Sequence, residues 1–296
     1  NVARDSMANV GFSPATRVFE AAGAGACLIT ESLKREILAA REAAKAMAAR
    51  PPVDAERVQQ IKKALQDGRY PITPAKIADR LELLRFAESR GVKIFSRPEA
   101  VLRLIDRLAC TVSLRAADAP MPATVVTEDL NAAEAAVERY GAAVFKPLYS
   151  TKARGMCIIE AGANARAEIA AFAEDNPVMY IQQKLNLSGQ DLGVVFLGGD
   201  YLCTYARVSQ SDSWNTTIHS GGKYAPFEPD ADLIELARKA QTPFGLDFTT
   251  VDVALTDEGP IVFEVSAFGG YRGAKEGCGV DAAAVLADHV IAKVTR

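Results

Sequence analysis

Two short apolar runs near the end of the chain each carry one acid in the middle. Thr249-Thr250-Val251-Asp252-Val253-Ala254-Leu255 and Pro260-Ile261-Val262-Phe263-Glu264-Val265-Ser266 both have a strand's pattern. The short turn Thr256-Asp257-Glu258-Gly259 between them makes the runs an antiparallel pair and sets Asp252 near Glu264. Charges interrupt apolar strands rarely unless they are paired or bound to metal. Neighbouring carboxylates on rigid strands, with no basic residue between them, suit hard Mg²⁺ carrying nucleotide phosphates. The other reading of the same residues is a half-exposed strand whose acids point to solvent.

A second constellation is cationic. Lys146 ends the apolar run Ala142-Ala143-Val144-Phe145 and precedes Pro147. A lysine at the tip of a buried strand faces a cleft more often than bulk water. Tyr149-Ser150-Thr151-Lys152-Ala153-Arg154-Gly155 follows, with hydroxyls, two cations and a glycine that can fold over a polyphosphate. A solvated hairpin with incidental charge is the alternative, since basic loops are common.

From about residue 80 onward, helical and strand signals alternate as in an α/β (α+β) domain. The patterning predicts helices over 81–90, 103–117, 130–139, 164–174, 230–241 and 281–294. It predicts strands over 92–95, 124–126, 142–146, 156–160, 178–182, 191–197, 201–208, 248–255 and 260–265, with Gly198-Gly199-Asp200 as a hairpin turn. A polar loop is expected over 209–223. The first 80 residues differ. Residues 32–50 are mostly Ala, Lys, Arg and Glu, strong helix formers that Pro51-Pro52 stops. Beyond lies a short amphipathic helix with Val58, Ile61 and Leu65 on one face, and Thr73-Pro74 opens another.

Composition narrows the function classes. A net charge of −3 argues against a polyanion-binding surface, so nucleic acid is not an expected partner. No apolar run approaches the ~18 residues of a membrane span, and no export signal is visible. Five cysteines without C-x-x-C spacing fit reduced thiols, and two histidines cannot form a His-rich metal centre. The expectation is a cytoplasmic protein.

Residues 81–296 resemble a RimK-like ATP-grasp ligase, and within that group the GAK-system enzymes. The resemblance is carried by KIFSRPEAVLRLIDRL (93–108), Phe145-Lys146-Pro147, Tyr180-Ile181-Gln182-Gln183-Lys184, Val251-Asp252 and Phe263-Glu264-Val265-Ser266. PLYSTKARGM, DLGVVFLGG, DSWNTT and EVSAFGGYRGAKE support the narrower likeness. The resemblance implies an ATP-grasp fold of two α+β subdomains with ATP between them, and ligation of a carboxylate to an amine through an acyl phosphate. It places Lys146 on the α- and β-phosphates and Arg107 where relatives often carry a first nucleotide-binding lysine. Gln183, Lys184 and Leu185 match the hinge that holds adenine by backbone groups, and Asp191 matches a nucleotide-binding aspartate. Arg207, Asn215 and Thr217 match residues near the γ-phosphate, with Lys152 and Arg154 as further catalytic cations. Asp252 and Glu264 match the ligands of Mg²⁺ (or Mn²⁺), with Ser266 standing where the pattern Glu-x-Asn has asparagine. The phosphate loop also carries one glycine rather than several.

The first 80 residues do not look like the small α/β domain that usually precedes this fold. VDAERVQQIKKALQDGRYPITPAKIADRL (53–81) resembles the carboxy-terminal half of the flagellar anti-sigma factor, and GFSPATRVFEAAGAGACLIT (11–30) resembles a fragment of a spore-maturation-type glycosyltransferase. The expected organisation is therefore a glycosyltransferase-like fragment (1–31), a helical anti-sigma-like segment (32–80) and an ATP-grasp domain (81–296). The expected partners are a carboxylate substrate and an amine co-substrate, without membrane or nucleic acid. A sigma factor bound through 53–81, and a homo-oligomer, stay open beside these. The competing functional readings are a sigma-factor-binding module and an ATP-binding pseudoenzyme.

Overall fold

The computed structural model describes residues 28–29, 74–150, 154–187, 189–209 and 222–295. In chain order the elements are β1 (Leu28–Ile29), α1 (Pro74–Ser89), β2 (Lys93–Ile94), α2 (Pro98–Ile105), α3 (Arg107–Ala116), β3 (Thr124–Thr127), α4 (Leu130–Tyr140), β4 (Ala142–Lys146) and β5 (Cys157–Glu160). They continue with α5 (Ala165–Asp175), β6 (Met179–Gln183), β7 (Gln190–Leu197), β8 (Asp200–Val208), β9 (Lys223–Pro226), α6 (Ala231–Gln241), β10 (Phe248–Thr256), β11 (Gly259–Ser266), α7 (Tyr271–Cys278) and α8 (Ala282–Thr295). The chain divides into two compact units, residues 1–102 with 281–296, and residues 103–280.

In the first unit β1 pairs antiparallel with β2, Leu28 opposite Ile94. The Lys93 ammonium donates to the Lys293 carbonyl of α8 at 3.2 Å. Helix α1 and the start of α2 are linked by Arg85, which bonds Glu99 at 2.9 Å.

The second unit holds two antiparallel sheets. The smaller has the order β3-β6-β4-β5. One face carries Phe145, Ile159, Met179 and Ile181, which pack with Ala133, Ala136 and Val137 of α4 and Ile169 and Phe172 of α5. Phe145 meets Phe172 edge-on at 5.3 Å between ring centroids. Burying each such large side chain contributes about 1.5–3 kcal/mol. Helix α4 is started by Asp129, whose carboxylate accepts from the Ala132 amide at 2.7 Å, and stopped at Gly141, with φ of 70°.

The larger sheet has the order β11-β10-β7-β8-β9. Apart from register irregularities at Val195/Phe196 and Asp252/Val253, alternation separates its faces. Leu192, Val194 and Phe196 of β7, Val251 and Val253 of β10 and Val265 of β11 are buried on one side. Helix α6, capped by Asp230, packs against β7, β10 and β11. The register puts Asp191 opposite Arg207, and Asp252 between Gly193 and Glu264, all on the other side. The β7–β8 hairpin turns through Gly198 and Gly199, both at positive φ (61° and 89°), as a right-twisting two-residue turn requires.

The structure differs from the sequence expectations at three elements. The helix expected over 103–117 is two helices, because Asp106 caps a fresh start, accepting from the Leu108 amide at 2.9 Å and the Ala109 amide at 3.2 Å. β9 pairs at the outer edge of β8, just past a segment expected to be loop. Helix α7 was not expected from its glycine-bearing text, Tyr-Arg-Gly-Ala-Lys-Glu-Gly-Cys. It forms because Gly273 and Gly277 admit the Tyr205 ring of β8: a Cβ at Gly273 would stand 2.3 Å from Tyr205 Cζ.

Candidate active site

The caps and ladders above place the charged residues. Asp106 starts α3 so that Arg107 is its first residue. The Arg107 side chain is mostly buried, and each of its three nitrogens donates a hydrogen bond. Nε donates to the Pro147 carbonyl at 3.1 Å, Nη2 to Ser150 Oγ at 3.3 Å, and Nη1 to Glu264 Oε2 at 3.4 Å. Its guanidinium also lies 5.8 Å from the Tyr180 ring centroid. Arg107 therefore joins the loop after β4 to an acid on β11.

Lys146 ends β4 as the apolar run requires. Its ammonium donates to Gln182 Oε1 on the neighbouring β6 and sits 5.5 Å from the Phe263 ring centroid. Burial first, and the Arg107 charge second, push its pKa down to about 8, with Glu264 acting in the opposite direction. A β-bulge sets both Phe263 and Glu264 toward this side: Asp252 pairs with Glu264, but Val253 pairs with Val262.

The second cluster lies on β7, β8 and β10. Arg207 donates from Nε to Asp191 Oδ1 at 3.0 Å and from Nη2 to Asp191 Oδ2, a bidentate pair. The same Nη2 lies 3.1 Å from Asp252 Oδ1. The neighbouring carboxylates hold the guanidinium pKa well above its usual value in spite of burial. Asp252 moves up to about 7, first because it is buried, with Glu264 and Asp191 adding repulsion and Arg207 opposing it.

Ser266 follows on the same face as Glu264, opposite Thr250. Its hydroxyl accepts from the Gly269 amide at 3.0 Å and the Phe268 amide at 3.3 Å, so both lone pairs serve the turn after β11. The amides of Gln183 and Lys184 are likewise committed, to the carbonyls of Ala123 (2.9 Å) and Ala142 (3.0 Å). Leu185 falls in the connection from β6 to β7. Arg154 sits in the turn before β5; at its neighbour Gly155, φ is 67° and a Cβ would meet the Pro147 ring at 3.1 Å. Lys152, Asn215 and Thr217 lie outside the described residues, as do 1–27 and 30–73.

Residues 105–290 match the RimK-like ATP-grasp domain. The chain belongs to the RimK-like ATP-grasp family. Residues 32–82 separately match the anti-sigma-28 factor FlgM. Among curated relatives, the tetrahydromethanopterin:alpha-L-glutamate ligase of Methanosarcina acetivorans is 24% identical over 60% of this chain and 58% of its own length. The same-named ligase of Methanococcus maripaludis is 25% identical over 72% of this chain and 73% of its own. This chain thus spans little more than half of the first of them. Among solved structures, the ATP-grasp ligase PsnB, complexed with a phosphomimetic variant of a minimal precursor, Mg and ADP, superposes with a TM-score of 0.59. The likeness covers 82% of this chain and 74% of PsnB at 20% identity, and shows the ATP-grasp fold.

Within that ATP-grasp unit the structure gathers Arg107, Lys146 and Glu264 at one place and Asp191, Arg207 and Asp252 at another, bridged by the Asp252–Glu264 rung. Sequence reasoning passed over Gln182, Tyr180 and Thr111, which support Lys146, and Tyr205, which seats α7. Gln182 had left little signal, because it follows the apolar part of β6 and is itself followed by Gln183.

Proposed function

We propose that this protein is an ATP- and Mg²⁺-dependent carboxylate–amine ligase. A substrate carboxylate oxygen attacks the γ-phosphorus of ATP and ADP leaves. An amine then attacks the acyl-phosphate carbon, phosphate leaves, and the surplus amine proton goes to water or phosphate. The observation that carries the reading is the convergence of a cation from one sheet and an acid pair from the other: Lys146 feels Glu264, and Arg107 bonds it. The names of the curated relatives support an amino-acid amine such as glutamate, and the PsnB complexes support a peptide carboxylate.

In this reading Lys146 binds the α- and β-phosphates, and Arg207 faces the γ-phosphate with Asn215 and Thr217. Lys152 and Arg154 add positive charge from the loop. Adenine meets the carbonyl side of 183–185 and the Leu185 amide, because the other two amides are taken. Asp191 acts by holding Arg207 in place, through the bidentate pair.

The residues present fit a divalent cation. Asp252 and Glu264 are hard oxygen donors facing one another across a ladder. Among the described residues no group of three acids, histidines or cysteines is placed to hold a metal. Two carboxylates completed by phosphate oxygens and water is the usual manner of Mg²⁺, and Mn²⁺ accepts the same donors. Bound there, the ion offsets charge on the transferring phosphoryl group. Ser266 enters that shell only by giving up a turn hydrogen bond.

The test is isotope transfer. Peptides with an ¹⁸O-labelled carboxylate are offered with ATP, Mg²⁺ and L-glutamate. Label in the released phosphate supports an acyl phosphate; phosphate released without label rejects it. A second reading rests on the FlgM match at 32–82, namely capture of a flagellar sigma factor by that segment. Co-purification with that sigma factor, lost on removing 32–82, tests it.

A further inference from the structure

Gln182 is nine-tenths buried and more, at 1% exposure, on a strand whose other residues are mainly apolar. A buried carboxamide must place both of its ends. Nε2 donates to Thr124 Oγ1 at 3.3 Å and to the Tyr180 hydroxyl at 3.4 Å, while Oε1 accepts from the Lys146 ammonium. An ammonium has no lone pair, so only the oxygen end of the amide can face Lys146. The orientation is thus dictated by chemistry rather than chosen. The Tyr180 hydroxyl is fixed in turn by Thr111 Oγ1 of α3 at 2.8 Å. A chain of neutral hydrogen bonds therefore runs from α3 through β6 to the tip of β4.

The other groups facing Lys146 are Arg107 from α3, which repels it, Glu264 from β11, which attracts it, and the Phe263 ring. Its hydrogen-bond acceptor, by contrast, is uncharged. A carboxylate at 182 would hold the ammonium as an ion pair and repel an incoming polyphosphate. An amide fixes the ammonium while leaving its charge uncompensated.

We propose that Gln182 is a positioning residue that aims the Lys146 ammonium at the nucleotide phosphates and, by being neutral, reserves its charge for them. The identity of the anion rests on the ligase reading above; the Lys146–Gln182 coupling does not.

The experiment uses the full chain with [¹³Cε]-lysine, following the Lys146 resonance by NMR as pH rises without nucleotide; Lys146→Arg assigns the signal. Gln182→Glu keeps the shape and adds charge, so the midpoint should rise by a unit or more, and ATP affinity measured by calorimetry should fall at least tenfold. Gln182→Met keeps the length and removes the acceptor, so the midpoint should fall while ATP affinity drops several-fold. Opposite shifts from two variants of similar size are not a signature of general damage. If Met does not fold, the Glu variant and the parent suffice. A midpoint unmoved by Gln182→Glu overturns the assignment whatever ATP does. Midpoints that move as expected in a protein that binds no ATP uphold the coupling and overturn the ligase reading instead.

Discussion

Glu264 stands opposite Asp252 in the β10–β11 ladder, yet the two carboxylates lean on different arginines: Asp252 on Arg207 at 3.1 Å, Glu264 on Arg107 at 3.4 Å. Each arginine is also tied elsewhere, Arg207 to Asp191 and Arg107 to the loop of Pro147 and Ser150. In the proposed metal site, a cation between the acids would compete with both guanidiniums and so would link metal loading to the loop that follows Lys146.

Lys146 gives a prediction with a definite sign. Its folded pKa, about 8, lies below the ordinary 10.5, so folding disfavours its charged form. The penalty is full below about pH 8 and fades as pH rises to 10.5, where the unfolded chain also loses the proton. Lys146→Met should melt at or above the parent at pH 7, with the advantage shrinking across that window. The same variant should lose roughly 1.5–3 kcal/mol of ATP binding, the value of a hydrogen bond to a charged group. Calorimetry and thermal melts at several pH values check both halves.

Asp252 titrates the other way. Its folded pKa, about 7, exceeds the ordinary 3.8, so the stability linked to its proton is present in acid and lost as pH rises from 3.8 to about 7. Metal binding needs the deprotonated form. The gain in nucleotide affinity on adding Mg²⁺ should therefore fade below pH 7, and should be absent at every pH in Asp252→Asn. A Mg²⁺ effect in that variant equal to the parent's would remove Asp252 from the metal site.

Much of this was legible in the chain. The acid-bearing runs gave the β10–β11 hairpin, because alternation and a short turn leave little freedom in pairing. The Asp252–Glu264 rung also needs the bulge at Phe263, since the register of the turn alone would set Asp252 opposite Phe263. Lys146 was legible because an apolar run ended on it. What stayed hidden was decided by distant contacts. Helix α7 depends on Tyr205, 68 residues before Gly273, entering notches that only glycines leave open. The tie between Asp191 and Arg207 needs the β7–β8 register, which turns a residue matched to nucleotide binding into a support for another. The break at Asp106 was missed because a capping aspartate inside a helical pattern looks like a surface residue.

Those notches make a stability prediction. Gly273→Ala puts a Cβ against the Tyr205 ring inside a filled space, and overpacking of this kind costs about 1–3 kcal/mol. Tyr205→Leu combined with it should recover part of the loss. Denaturant unfolding of the single and double variants measures it; additive losses would mean the two residues do not meet.

Ser266 separates turn from metal. Ser266→Ala removes the acceptor for the Gly269 and Phe268 amides and should cost about 1 kcal/mol in folding while leaving Mg²⁺ affinity unchanged. Ser266→Asn supplies a longer oxygen donor and should tighten Mg²⁺ in the presence of nucleotide. Metal titrations of both variants decide: weaker Mg²⁺ binding in the alanine variant would make the hydroxyl itself a ligand.

The central claim is an ATP site completed by Mg²⁺ on Asp252 and Glu264, and calorimetric titration of the full chain with a non-hydrolysable ATP analogue, with and without Mg²⁺, tests it most directly. The account predicts saturable binding to one site that tightens at least tenfold with Mg²⁺ in the parent, and a Mg²⁺ effect lost in Asp252→Asn and Glu264→Gln. Absence of nucleotide binding, or an affinity indifferent to Mg²⁺ in the parent, would contradict it.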